Sequence, residues 1–172
     1  MQKEEILAMF EQLHTEINAF MQQMSLEQKC TIVGDKWSAL QNLDHLNKVL
    51  GFLNKALSKP KFILRFAFGK PNRVGRNYKE LVARYQEKAK GPAVAPKVYQ
   101  AQGNANLSAE AVEQYFQALS QKFVRIVARK WENQQLDNYL LVHPLLGKLT
   151  IREMLYFVHW HTNHHFRAIK KK

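Results

Sequence analysis

The chain has 172 residues, one cysteine, seven histidines and a net charge of +12. That length buries a core without disulfide or metal staples, and a lone Cys30 excludes an internal disulfide. With the acid-bearing start MQKEEILAMF, which has no leader pattern, it predicts a cytoplasmic protein. No stretch approaches the ~20 apolar residues that cross a bilayer, so a membrane is not an expected partner.

Four stretches carry helical period. In the first, from about Lys3 to Met24, Ile6, Phe10, Leu13, Ile17 and Phe20 recur every three or four residues. In the second, from about Trp37 to Leu57, the stripe is Leu43, Leu46, Leu50, Leu53 and Leu57, with Asp35 as N-cap. A basic segment follows. GKPNRVGRN reads as loop, FILRFAF is the best strand signal, YKELVARYQEKAKG predicts a short helix ended near Gly91-Pro92, and GPAVAPKVYQAQGNAN an extended linker. The third long helix, from about Ala109 to Trp131, is capped by Ser108. The fourth starts at the capping box TIRE, Thr150 to Glu153, and runs close to the C-terminus. The expected fold is all-α: a four-helix bundle in one domain over 1–172, with a basic crossover insertion between the second and third helices at about 58–107.

Four histidines crowd FVHWHTNHHF in the fourth helix. A helix turns about 100° per residue. With His161 at zero, the apolar arc made by Met154, Phe157, Val158 and Ile169 centres near +40°, where His165 lies. His161 and His165 therefore face inward one turn apart, a spacing at which two imidazoles can hold one metal ion. His164 falls on the flank, where it would back one of the inward rings or line the rim, and His159 falls nearly opposite, at the surface. A third ligand must come from another helix. His45, at the edge of the second helix's apolar arc, is the better candidate and His14 the weaker. Gln41 and Asp44, beside His45, are candidate partners of the ligand shell. His143, before Pro144, shapes the turn into LLGKLT.

Lys55 to Lys97 holds 12 Lys/Arg against two acids, Glu80 and Glu87, a net +10. Such a block is a solvated surface, a nucleic-acid surface or a rim for anionic small molecules. The nucleic-acid alternative would stack bases on Phe62, Phe66, Tyr78 and Tyr85. No recognised nucleic-acid motif accompanies them, so nucleic acid is not an expected partner.

KWSALQNLDHL and HPLLGKLTIREMLYFVHWHTNHHFRAI resemble the second-helix and closing segments of the DinB/YfiT-like superfamily. FGKPNRVGRNYKELVARYQEKAKG resembles an insertion in one DinB-like branch. The resemblance covers about four-fifths of the chain. It implies an up-down-down-up bundle, its second and third helices parallel, and a divalent metal, zinc or nickel, on His45, His161 and His165. Relatives include metal-dependent thiol transferases and isomerases that use low-molecular-weight thiols. The resemblance thus implies a metal-dependent enzyme, a thiol transferase or hydrolase, with a non-catalytic metal-binding or nucleic-acid-binding stress protein as the alternative. Three neutral imidazoles leave a coordination position open, where the ion lowers the pKa of water or holds a thiol as thiolate. No Ser-His-Asp or Cys-His pairing supplies a nucleophile from the chain, so no catalytic side chain is assigned. The expected partner is a small carboxylate-bearing thiol, its carboxylate gripped by Arg73 or Arg76, and a homodimer is an allowed assembly.

Overall fold

The computed structural model describes residues 1–90, 97–103 and 106–172. Its long helices are α1 (Lys3–Gln23), α3 (Ala39–Ser58), α6 (Ala109–Lys130) and α8 (Ile151–Ile169). Shorter elements join them: α2 (Leu26–Cys30), α4 (Lys61–Phe68), α5 (Tyr78–Lys88), a 3-10 turn at Lys97–Tyr99, α7 (Gln135–Asn138) and a hairpin of β1 (Leu140–His143) with β2 (Gly147–Thr150).

Side-chain pairs fix the direction of every long helix. Asn47 Nδ2 donates to Val112 O at 2.9 Å and Asn54 Nδ2 to Leu119 O at 3.0 Å. Both partners advance together, so α3 and α6 run parallel. Phe10 meets Phe123 while His14 meets Phe116, so α1 and α6 are antiparallel. Asn42 reaches His165 and His45 reaches His161, so α3 and α8 are antiparallel. Phe10 contacts His159 and Phe20 contacts Phe166, so α1 and α8 are parallel. The order is up-down-down-up. Around the bundle α1 packs on α6, α6 on α3, α3 on α8 and α8 on α1, which leaves α1 and α3 on a diagonal. The parallel pair needs a long return, and the basic segment provides it.

Local sequence sets the helix starts. Ser38 Oγ accepts from Gln41 N, and Gln41 Oε1 accepts from Ser38 N. This reciprocal cap, not Asp35, opens α3, because Val33 and Lys36 first close a tight turn through Gly34 at φ +58°. FILRFAF is helical, not a strand: Pro60 precedes the first turn of α4, and Gly69 ends it at φ +81°, a backbone state open mainly to glycine. The predicted helix at YKELVARYQEKAKG is α5, capped by Asn77 and Glu80. Its proposed stop at Gly91-Pro92 lies outside the described residues, as does part of the expected linker.

The crossover packs back on the bundle. Tyr78 and Tyr85 of α5 lie against Tyr156, His159, Phe157 and Trp160 of α8. Those two tyrosines pack rather than stand free for bases. Helix α8 is therefore covered by α1, α3 and α5.

Candidate metal centre

Helix α3 contributes His45 and helix α8 contributes His161 and His165. The antiparallel crossing brings the three rings to one point. His45 Nε2 lies 3.3 Å from His161 Nε2, and His165 Nε2 lies 3.2 Å from the same atom. One ligand atom from each of the three lies within 4.8 Å of the others.

The opposite nitrogens decide what these atoms carry. His45 Nδ1 stands 2.6 Å from Tyr99 O, and a carbonyl only accepts, so Nδ1 holds the proton. His165 Nδ1 stands 2.7 Å from Asn42 Oδ1. The amide of Asn42 is oriented by its own donations, from Nδ2 to Trp37 O at 3.2 Å and Ser38 O at 2.8 Å. Its oxygen therefore faces the ring, and His165 Nδ1 donates. Two of the three converging nitrogens are bare lone pairs, and His161 has at most one proton to share between them. Burial holds all three rings neutral. It lowers His45 despite the Tyr99 bond. It lowers His161 well below its ordinary value, helped by the neighbouring imidazoles, and His165 to about 3.

A divalent cation satisfies this arrangement. Bonds of ~2.0–2.1 Å in a tetrahedral set hold nitrogens roughly 3.3 Å apart, matching the two short separations. The Nδ1 bonds to Tyr99 and Asn42 are the outer contacts that fix tautomer and ring angle in histidine metal sites. Trp37 covers one side, stacked on His165 at 6.1 Å and tilted against His45 at 5.2 Å.

Asn42 and Tyr99 were not singled out from the sequence, and Trp37 entered only as part of the motif KWSALQNLDHL. For Asn42 the signal was present: it sits three residues before His45, on the same helix face. Gln41 and Asp44 act at one remove. Gln41 Nε2 donates to Gln102 O at 3.1 Å. Asp44 accepts from Gln102 N at 3.0 Å and pairs with Lys48 at 2.9 Å, while Lys48 Nζ donates to Gln100 O at 2.6 Å. Together they hold the crossover over α3, and with it the Tyr99 carbonyl. His164 is exposed, stacked on Trp160 at 5.4 Å with its edge toward His165.

Four expected positions are revised. His159 is not a free surface residue: its Nδ1 meets Tyr78 OH at 3.0 Å and its ring meets Phe10, because α5 covers that side of α8. His14 is buried among Phe10, Phe116 and Phe123, outside the histidine cluster, beside a cleft of about 570 Å³ between α1 and α6. Arg73 and Arg76 do not rim the cluster. Arg73 Nη1 lies 2.8 Å and Arg76 Nη1 3.1 Å from Oε1 of Glu153, a residue with no exposed surface. That carboxylate sits eight residues before His161, about 12 Å down the helix. Burial pushes Glu153 up, but Arg73 and the N–H donors of Thr150 and Arg76 outweigh it and hold the carboxyl below its ordinary value. His143 does shape its turn: its Nδ1 accepts from the N–H groups of Leu145 and Leu146, both at 3.1 Å.

The DinB superfamily model matches residues 9–169. The chain belongs to the DinB superfamily. Among solved structures, this DinB protein is similar to YfiT from Bacillus subtilis, described as a probable metal-dependent hydrolase with an unusual four-helix bundle topology. The identity is 17% and the TM-score 0.61, over 98% of this chain and 84% of that one. It is also similar to the colibactin self-resistance protein ClbS in complex with a dsDNA, at 16% identity and a TM-score of 0.59, over 99% of this chain and 94% of that one. Both likenesses are of fold. Among curated proteins none matches. A neighbour of this fold bound to duplex DNA leaves the expectation that nucleic acid is not a partner unsupported. No helix among the described residues is long and apolar enough to cross a membrane.

Proposed function

We propose that this DinB protein is an enzyme acting on a small molecule through a divalent ion, zinc or nickel, held by His45, His161 and His165. The reaction is hydrolysis or transfer of a low-molecular-weight thiol. The observation that carries this reading is the pair of fixed tautomers, which turns two lone pairs toward a third nitrogen with one proton at most between them. Bound there, the ion supplies Lewis acidity and a coordination position that three protein ligands leave open. The protein's own groups do the rest. Tyr99 O and Asn42 Oδ1 hold the Nδ1 protons, burial keeps the rings uncharged at neutral pH, and Trp37 shields one side from water. With Arg73 and Arg76 engaged by Glu153, neither is free to grip a carboxylate on the thiol.

The test is elemental analysis of the purified chain beside His45→Ala, His161→Ala and His165→Ala, with thiol-transfer and hydrolysis assays on each. One ion per chain, lost with activity in all three variants, is expected. Retention of stoichiometric metal by all three would falsify the ligand assignment. Bound metal without turnover of either kind returns the protein to a non-catalytic metal-binding role.

A second reading, contact with DNA, is favoured by the net charge and by the likeness to the ClbS–dsDNA complex. Exposed Lys79, Arg84 and Lys88 on α5 give it a surface. Duplex affinity should then fall steeply with salt. An affinity that stays weak at low salt ends this reading.

A further inference from the structure

Helix α4 turns its apolar side outward. At about 100° per residue, Phe62, Phe66, Ile63 and Ala67 span an arc of roughly 140°. All four are exposed, Phe62 by 73% and Phe66 by 93%. The opposite side carries what anchors the helix: Leu64 is buried, Phe68 packs on the core, Lys61 donates to Gln135, and Arg65 lies over Tyr139 at 4.7 Å. The orientation is therefore set by contacts on the far side. A helix free to roll would bury its phenylalanines. Exposed Lys59 and Lys70 stand at the two ends of the helix, and Val74, just beyond, is 91% exposed.

We propose that α4 is a docking surface for an anionic lipid membrane, lying flat with Phe62, Ile63, Phe66 and Ala67 inserted at the headgroup boundary. Charge decides the occupant. A second copy would bring a like-charged face, Lys59 and Lys70 included, against its own kind, in a chain of net +12. An anionic leaflet instead meets lysines that favour it by about 1 kcal/mol each near the surface. The arc carries no hydrogen-bonding side chain, which suits acyl chains better than base edges or phosphates. Lying on the surface requires no membrane-spanning helix, and a short face of this kind gives reversible attachment. The surface is independent of the histidine cluster, and its test does not depend on bound metal.

The experiment is co-sedimentation of the full chain with vesicles of phosphatidylcholine alone and of an equal mixture with phosphatidylglycerol. Binding to the mixed vesicles only, weakening with added salt, is expected. Phe62→Ser with Phe66→Ser should weaken it by roughly tenfold per phenylalanine. Lys59→Glu with Lys70→Glu should weaken it by at least fivefold per lysine. Circular dichroism and metal content should stay unchanged, since the altered side chains are exposed. No binding to the mixed vesicles overturns the proposal, as does binding that both double variants retain. Two parallel measurements test the other occupants. If the phenylalanine variant abolishes a dimer seen by sedimentation velocity, or abolishes duplex-DNA binding while vesicle binding persists, the surface belongs to that partner instead.

Discussion

Helix α8 carries two buried polar stations, and they are built in opposite ways. At its first turn Glu153 has a partner for each oxygen: Oε1 receives Arg73, Arg76 and the Arg76 N–H, while Oε2 receives Arg73 and the Thr150 N–H. Its negative charge is met by positive ones inside the protein. Roughly two to three turns on, His161 and His165 join His45 with ring nitrogens converging and one proton at most, on His161, between them. Both stations are desolvated. The first answers its charge from within the chain; the second turns its ring nitrogens to a common point, where they could hold a metal ion. A buried polar group that the protein itself satisfies speaks of architecture. A cluster whose ring nitrogens converge, with the outer nitrogens of His45 and His165 held by the chain and that of His161 without a partner among the described residues, is arranged as a ligand-binding set would be.

The glutamate station should be the costlier to break. Glu153→Ala removes the carboxylate half of the capping box that opens α8, and leaves two guanidinium groups without their carboxylate. Both arginines reach solvent, so the loss should fall near the lower end for a broken buried pair, roughly 3 kcal/mol. A urea melt measures it. A loss under about 1 kcal/mol would reduce the station to a surface ion pair. Metal content should be untouched in the variant that still folds, since the carboxylate lies about 12 Å from His161.

The histidine station should respond to a divalent ion. Zinc or nickel at a hundredfold excess over its dissociation constant should stabilise the apo protein by about 2.7 kcal/mol, read as a rise in thermal midpoint. The rise should vanish in His45→Ala. If the midpoint rises equally in that variant, the ion is binding elsewhere.

The two stations also differ in how visible they were before the fold was known. The inward pair His161 and His165 could be read from one helix wheel, because both histidines share an element and its period fixes their direction. The four long helices were equally legible, each marked by a stripe and two of the four, α6 and α8, by the side-chain cap that opens them. The partner of Arg73 was not, since Glu153 stands 80 residues away and joins it only through the crossover. Charge counting registers a basic block but not which charges are already answered. His159 was misplaced for a related reason: the wheel assumes one buried arc, and α5 supplies a second. The apolar run of α4 fits strand and helix alike by pattern, and the flanking Pro60 and Gly69 settle it.

The outer contacts of the histidine station give a finer test. Asn42→Ala removes the acceptor for His165 Nδ1–H and should weaken metal binding by about 10–100-fold, measured by competition with a chromophoric chelator. Asn42→Asp keeps an acceptor at the same place and should hold the ion at least as well as the native residue. Equal weakening in both variants would mean that Asn42 serves only the start of α3, through its bonds to Trp37 and Ser38.

His14 isolates the cost of burial without any ligand. It is 5% exposed in a cage of Phe10, Phe116 and Phe123, with His159 the nearest titratable ring, and burial lowers its pKa to about 4. The unfolded chain takes up a proton near pH 6.5, whereas the folded one resists it until far lower. Between those limits the unfolded state binds more protons, so stability must rise with pH. The contribution is fully present above about pH 6.5 and is lost as pH falls toward about 4. Each fully shifted histidine adds a slope of about 1.4 kcal/mol per pH unit. The other buried histidines give the native protein an acid-labile profile of the same sign, so the informative quantity is a difference. His14→Leu, compared with the native chain by urea melts across that window, should flatten the profile by about 1.4 kcal/mol per pH unit and change it little above pH 7. Parallel profiles would mean that His14 is protonated in the fold, and that its cage opens to water through the cleft between α1 and α6.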